Sequence, residues 1–186
     1  PDALERAFLT KGRSLVQGLE NLIRDLEAND GELLVRLADE SAFKVGSDLA
    51  ATPGKVVFRN RLFELIQYTP STEKVYNTPL LMFPPWINKY YILDLRANNS
   101  LIRWIVDQGY TLFVVSWVNP DSTYSNVGLE DYIERGYLEA IDQVKSICKV
   151  KKINALGYCI AGTTLSLVMS IMLSLIHISE PTRPIH

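Results

Sequence analysis

The chain has 186 residues, enough for one domain with a buried core, and its 47% hydrophobic and 22% charged residues are ordinary for a soluble globular protein. Its net charge of -2 gives no electrostatic reason to expect binding to nucleic acid or to an anionic membrane, and no apolar run reaches the roughly 20 residues of a membrane-spanning helix. Only two cysteines occur, Cys148 and Cys159, which argues against a disulfide framework and favours a reducing compartment.

The first thirty residues carry leucine, isoleucine and phenylalanine close to helical spacing, which predicts a helix. Asp2 and Glu5 can cap its first turn, and Asn29-Asp30-Gly31 is predicted to end it. The stretch that follows, "SAFKVGSDLAATPG", has the composition of a linker. We therefore predict an N-terminal helical region and linker over residues 1–54. The chain begins with proline and shows no signal peptide, so we expect it to be a fragment at this end.

From Lys55 onward, strand-like and helix-like stretches alternate. Each strand is apolar on both faces, which predicts a parallel sheet in an α/β domain. The predicted elements in chain order are two strands joined by a hairpin or bend at Arg59-Asn60-Arg61, a strand within 78–86 stopped by Pro84-Pro85, a helix within 99–109, a strand within 110–117, a long amphipathic helix within 128–149, and a strand within 152–159.

Functional residues of such sheets gather where the strands end at their carboxyl edge. Three strand ends are candidates, at Pro84-Pro85-Trp86, at Trp117-Val118-Asn119-Pro120 and at Gly157-Tyr158-Cys159. The last lies in "INALGYCIAGTT", which has the strand, nucleophile and helix layout of a nucleophile elbow. Cys159 takes the nucleophile position, and the small residues that let the helix approach the strand are Gly157, Ala161 and Gly162. The usual pattern has a second glycine where this chain has Ala161.

Two other interpretations of this stretch stay open. Cys159 could be a buried cysteine that only packs, and the glycines could form a phosphate loop, although their spacing fits neither G-x-G-x-x-G nor the Walker pattern. Cys148 lies in no motif and is interpreted as a packing residue. The sequence contains no metal-ligand cluster and no cofactor loop, so we expect no metal and no cofactor.

A cysteine nucleophile suits thioester chemistry, because a thiolate accepts an acyl group from a thioester and passes it on at similar energy. The oxyanion of that reaction is expected to bind the backbone N–H of Ile160 and one N–H from the loop after "LLMFPPW". Pro84 and Pro85 have no N–H, so Trp86 or Ile87 is the available donor. A packing role for the Trp86 ring is an equal alternative.

Five blocks together resemble a class I polyhydroxyalkanoate synthase: "DESAFKVGSDLAATPGKVVFRNRLFELIQYTPST", "PLLMFPPWINKYYILDL", "QGYTLFVVSWVNPD", "DYIERGYLEAID" and "KINALGYCIAG". The resemblance covers about residues 1–172 and implies an α/β-hydrolase fold, truncated here to residues 55–172. It also implies an acyltransferase that polymerises (R)-3-hydroxyacyl-CoA with release of CoA, on polyester granules in the cytoplasm, as a homodimer. The CoA thioester is then the substrate rather than a cofactor.

Of the Cys, Asp and His triad that the resemblance implies, only Cys159 has a counterpart in this chain. The tail from Leu173 to Arg183 resembles the translation of a sequencing adapter, and we predict that residues 173–186 are not native to the domain. Both histidines, His177 and His186, fall in this tail, and Glu180 follows His177, which is the wrong order for a nucleophile, acid and histidine triad. We therefore expect the chain itself to be inactive and prone to aggregate.

Two alternatives to the polymer synthase are a cysteine-elbow hydrolase of esters or lactones and a non-catalytic module associated with granules. The blocks outside the elbow have no reason to occur in a generic hydrolase. Four carboxylates, those of Asp94, Asp121, Asp131 and Glu134, lie near predicted site edges, and capping or turn formation explains them better than acid or base roles.

Overall fold

The computed structural model describes residues 2–37, 39 and 41–177, with the backbone alone for residues 175–177. The chain divides into two compact units, residues 1–43 and residues 44–186. Each is described by itself below.

The first unit holds two helices, α1 (Asp2–Leu9) and α2 (Arg13–Ala28), where the sequence predicted one. The break occurs because Lys11 and Gly12 both adopt left-handed backbone angles, with φ of 51° and 82°. Glycine takes this conformation without steric cost, and so it marks the interruption. The predicted end of the helix is confirmed, since the N–H of Gly31 donates to the carbonyl of Leu26 at 2.9 Å.

The second unit contains a five-stranded sheet. Its strands are β1 (Gly54–Arg59), β2 (Phe63–Tyr68), β3 (Leu80–Phe83), β6 (Leu112–Trp117) and β7 (Asn154–Gly157), in the order β1-β2-β6-β3-β7. A separate two-stranded sheet, which the sequence did not predict, pairs β4 (Asp94–Arg96) with β5 (Asn99–Ser100).

The prediction of a parallel sheet is only partly right, because the sheet is mixed. Strands β6, β3 and β7 are parallel, whereas β1 pairs antiparallel with β2, and β2 pairs antiparallel with β6. The physical reason lies in the connection between β1 and β2. It is a short hairpin in which the Asn60 side chain accepts from the N–H groups of Leu62 and Phe63, and parallel strands need a much longer crossover.

Helices cover both faces of the sheet. On one face lies α3 (Leu101–Asp107), within the range predicted for a helix, and the Ser100 side chain caps it by accepting from the N–H of Arg103 at 2.9 Å. On the other face lie α5 (Glu139–Cys148) and α6 (Ile160–His177). Alternate residues of the strands face the two sides, so two apolar clusters form the core.

The long amphipathic helix predicted before β7 is present, but its middle is not α-helical. It begins as α4 (Leu129–Asp131), continues as a π-helix over Tyr132–Leu138, here called the π segment, and ends as α5. The wider turn of a π-helix is uncommon and often occurs at functional sites. No spacing in the sequence indicated it.

Candidate active site

The turn between β7 and α6 consists of two residues, Tyr158 and Cys159. The N–H of Tyr158 donates to the carbonyl of Phe83 at 3.2 Å, and the carbonyl of Cys159 accepts from the N–H of Gly162 at 2.9 Å. Cys159 has a φ of 58°, which is rare for a residue with a Cβ and costs about 1–2 kcal/mol. Its side chain is exposed. A sharp, strained strand-to-helix turn therefore presents the thiol at the carboxyl edge of the sheet.

Close approach of α6 to β7 requires the two glycines that flank this turn. A Cβ on Gly157 would lie 2.6 Å from the carbonyl oxygen of Ala161 and 2.7 Å from the Cα of Gly162. A Cβ on Gly162 would lie 3.0 Å from the carbonyl oxygen of Gly157. Ala161 itself is fully buried in the core, so its methyl group is accommodated where the usual pattern has glycine.

The loop after β3 leaves the sheet next to the elbow, because Phe83 and Gly157 are paired neighbours at the ends of parallel strands. Trp86 lies in this loop and is half-buried, with its ring 5.4 Å from that of Tyr132. Within the described part of the chain, the backbone N–H groups of Trp86 and Ile160 donate to no protein acceptor. The same holds for Ile87 among those residues. The predicted oxyanion donors, Ile160 and either Trp86 or Ile87, therefore have backbone N–H groups that make no hydrogen bond within the described residues.

An aromatic cluster surrounds this loop and includes Trp117, from one of the three candidate strand ends, and Tyr137, which was not predicted to lie near the site. The indole N–H of Trp117 donates to the carbonyl of Pro84 at 2.8 Å. The hydroxyl of Tyr137 donates to the carbonyl of Ala161 at 3.3 Å, and the Tyr137 ring stacks on Phe83 at 4.2 Å. The position of Trp117 at a strand end was the available signal. Nothing in the sequence pattern distinguished Tyr137 from an ordinary core residue.

Asp94 is buried and serves the structure rather than the site. Its carboxylate accepts from the hydroxyl of Thr52 at 2.7 Å and from that of Ser100 at 2.6 Å, so it ties the segment before β1 to the start of α3. Burial and, secondarily, the charge of Asp94 raise the pKa of the nearby Tyr68 phenol. The structural interpretation of Asp94 is therefore supported by its contacts.

Two other predicted carboxylates form turns. Asp121 accepts from the hydroxyl and N–H of Thr123, and these hydrogen bonds hold the pKa of the exposed carboxyl below its usual value. Asp131 accepts from the N–H of Gly128 at 3.0 Å. Both carboxylates thus satisfy local backbone donors. They have the turn and capping roles that the sequence indicated.

The remaining titratable candidates do not join Cys159. Cys148 is half-buried on α5, and burial raises the pKa of its thiol, as expected for a packing cysteine. His177 is the last residue of α6, and at 1.5 Å per residue its backbone lies about 25 Å along the helix from Ile160. Glu180 and His186 lie outside the described residues.

A cavity of about 430 Å³ lies beside the hairpin and does not include Cys159. Its walls come from the hairpin, the loop before α4, and the successive segments α4, the π segment and α5. The lining residues are Asn60, Arg61, Leu62, Thr123, Asn126, Val127, Asp131, Arg135 and Glu139. Over the described residues, acidic, histidine and cysteine side chains form no group that could hold a metal ion. The helices described are also too short or too polar to cross a bilayer.

Comparison with known proteins identifies relatives along most of the chain. Residues 1–105 match the family described as poly-beta-hydroxybutyrate polymerase (PhaC) N-terminus. The chain is 48% identical over 170 residues to a poly(3-hydroxyalkanoate) polymerase of Methylorubrum extorquens and 44% identical over 172 residues to a poly(3-hydroxyalkanoate) polymerase subunit PhaC of Cupriavidus necator. A subunit PhaC of Haloferax mediterranei is 30% identical over 148 residues.

These alignments cover most of this chain but only a minor part of each relative. They include 91% and 92% of this chain for the first two relatives and 75% for the third. They include only 28%, 28% and 30% of the respective relatives. The chain therefore spans somewhat under a third of the length of the relatives that it matches.

Proposed function

Because the chain belongs to the poly-beta-hydroxybutyrate polymerase family, we propose that it contributes the nucleophile of an acyltransferase that builds polyhydroxyalkanoate from (R)-3-hydroxyacyl-CoA. The observation that carries the proposal is Cys159. Its exposed thiol stands on a two-residue turn between β7 and α6, with a φ of 58°. A cysteine that only packs has no need of this backbone conformation.

In the proposed reaction, the Cys159 thiolate attacks the carbonyl carbon of the acyl-CoA thioester. The tetrahedral intermediate collapses with loss of CoA as a thiolate, which leaves the acyl group on Cys159 as a new thioester. A hydroxyl oxygen of another acyl unit then attacks this thioester and forms an ester bond, and its proton and the Cys159 thiolate are released. The base that accepts protons is supplied by residues other than those described.

We assign the N–H groups of Ile160 and Trp86 to the oxyanion that forms in both steps. The support is that Ile160 directly follows Cys159, that Trp86 lies in the loop after β3, whose last residue Phe83 pairs with Gly157, and that neither amide has a protein acceptor among the described residues. One donor follows the nucleophile and the other follows the third strand, which is the arrangement in α/β-hydrolases. With the nucleophile at the end of a parallel strand, these positions support an α/β-hydrolase fold for the second unit.

We also propose that the polymerase acts as a homodimer at the surface of polyester granules in the cytoplasm. Family membership is the main support for this proposal. A second support is the first unit, where apolar side chains of α2 such as Leu15 and Leu19 are 66% and 57% exposed. Exposed apolar faces of this kind bind other apolar surfaces.

The test uses a full-length hybrid protein, here called the grafted polymerase. In it, residues 1–172 of this chain replace the aligned segment of the Methylorubrum extorquens relative. Cys159→Ala should lower CoA release from (R)-3-hydroxybutyryl-CoA by more than about 1000-fold, because the covalent step is lost. Cys148→Ser is the matched control and should keep near-normal activity.

Product analysis separates the alternatives. Polymer from the unsubstituted grafted polymerase, together with an acyl group on the Cys159 peptide after one turnover, is the expected result. Free 3-hydroxybutyrate in place of polymer would favour the hydrolase of esters. Undiminished polymer synthesis by Cys159→Ala would refute the nucleophile assignment and leave the chain a non-catalytic role at the granule.

A further inference from the structure

Trp117 stands at the carboxyl end of β6, and its indole N–H reaches the loop after β3. The hydrogen bond to the carbonyl of Pro84 is 2.8 Å long. Pro84 and Pro85 are both buried and lack N–H groups, so no backbone donor of their own ties them to the sheet. The Trp117 side chain therefore provides a contact that sets the orientation of this loop, two residues before Trp86.

Residues of the π segment also pack against the Trp117 ring. A Cβ on Gly136 would lie 3.0 Å from two carbon atoms of this ring. Any residue other than glycine would therefore force the ring to move. The rings of Tyr132 and Tyr137 lie 5.5 Å and 5.6 Å from the Trp117 ring. The ring is thus confined by three residues of the π segment.

The same segment contacts both sides of the proposed oxyanion site. Tyr132 lies against the ring of Trp86 in the loop after β3, and Tyr137 donates to the carbonyl of Ala161 in the first turn of α6. An α-helical path would change the angular positions of residues 132 to 137 around the helix axis. The π-helical path brings these side chains and Gly136 to the loop, to Trp117 and to the elbow together.

We propose that Trp117 is a positioning residue for acyl transfer. Its indole N–H fixes the carbonyl of Pro84 and so the direction in which the N–H of Trp86 points, while the π segment keeps the Trp117 ring in place. The inference rests on the proposed function, because it concerns the oxyanion of the Cys159 reaction. It assigns Trp117 no contact with substrate.

Trp117→Phe in the grafted polymerase keeps a ring and removes the N–H. We expect kcat to fall by about 10- to 100-fold with KM changed by less than about twofold, because a donor that is misdirected stabilises the oxyanion poorly. Alkylation of Cys159 by iodoacetamide should keep its rate, since that substitution forms no oxyanion. Trp104→Phe is the control, because Trp104 is 59% exposed on α3 and should change neither quantity.

A second variant reaches the same contact from the π segment. Gly136→Ala should displace the Trp117 ring and lower kcat in the same way, again with an unchanged alkylation rate. Gly128→Ala is its control, because a Cβ there meets nothing within 4 Å. Agreement between two variants that alter different residues would tie the loss to the shared contact.

Two results would overturn the inference. One is a kcat that stays within about twofold of normal in both variants. The other is a loss of alkylation rate in parallel with kcat, which would mean that the elbow itself had collapsed and that Trp117 is only a core residue. Either result leaves the proposed function intact if Cys159→Ala is inactive, whereas full activity of Cys159→Ala would remove the proposed function whatever Trp117 does.

Discussion

At the scale of single residues, Gly157 is where the elbow tolerates least change. The Cβ that any other residue adds would stand 2.6 Å from a carbonyl oxygen of the α6 backbone, which is not a group that can rotate away. At Gly162 the corresponding distance is 3.0 Å, and at Gly128 the space is open. The three glycines thus form a graded series.

We predict that alanine substitutions in the grafted polymerase follow this series. Gly157→Ala should destabilise the protein by about 1–3 kcal/mol, as overpacking does, and should lower activity by moving α6 and its first N–H groups. Gly162→Ala should have a smaller effect, and Gly128→Ala none beyond error. Urea unfolding midpoints and CoA release measure both effects. Equal stability of all three variants would contradict the close approach of α6 to β7.

Residue-scale predictions from sequence succeeded where the interaction is local. The predicted helix within 99–109 and the predicted hairpin at Asn60 are both held by side chains, those of Ser100 and Asn60, that bond to backbone within three residues. The break between α1 and α2 was missed at Lys11-Gly12, because an isolated glycine in a helical pattern is usually tolerated.

At the scale of elements, β7 and α6 leave apolar surface uncovered in the described structure. Within the described sheet β7 pairs with β3 on one side only, and Leu156 is 36% exposed. On α6, Leu167 and Ile171 are 45% and 39% exposed and lie four residues apart, on one face of the helix. An unpaired strand edge beside an apolar helix face favours self-association.

We predict that the isolated chain aggregates through this region. Leu167→Glu should raise the protein concentration at which light scattering begins, because a charge on the apolar face opposes contact between molecules. Ser166→Glu is the matched control, since Ser166 is an exposed polar residue of α6 that lies about 100° around the helix from Leu167 and still further from Ile171, and the added charge is the same. If both variants change scattering equally, net charge rather than the apolar face governs association.

The positions of the strands and helices along the chain were largely predictable from the sequence. Which strands pair with each other, and in which direction, was not. Every strand expected between residues 55 and 159 is present, because apolar runs bounded by proline, glycine and asparagine are local signals. The antiparallel pairing of β2 with β6 and the π segment depend on contacts between residues far apart in the sequence. The spacing of apolar residues does not predict such contacts.

At the scale of the whole molecule, the proposed nucleophile Cys159 has no partner base among the described residues. Both histidines of the sequence follow Cys159, and α6 carries His177 away from the elbow. Among the described residues, no histidine is therefore placed to complete a triad with the thiol.

We predict that the purified chain alone does not turn over (R)-3-hydroxybutyryl-CoA. CoA release should stay at the rate of a Cys159→Ala control, because general-base activation of the nucleophile is missing. The grafted polymerase serves as the positive control, since the remainder of the relative supplies the other groups. Turnover by the chain at the rate of the grafted polymerase would show that the base lies within these residues.

The amino-acid sequence by itself determined the alternation of strands and helices, the strand-to-helix turn at Cys159 and the family resemblance, because each depends on residues close together in the chain. The tertiary structure alone decided that β6 lies between β2 and β3, and that Trp117 reaches Pro84 across 33 residues of sequence. Those features follow from how distant surfaces fit together. A fit of that kind is a property of the packed chain, which local periodicity does not record.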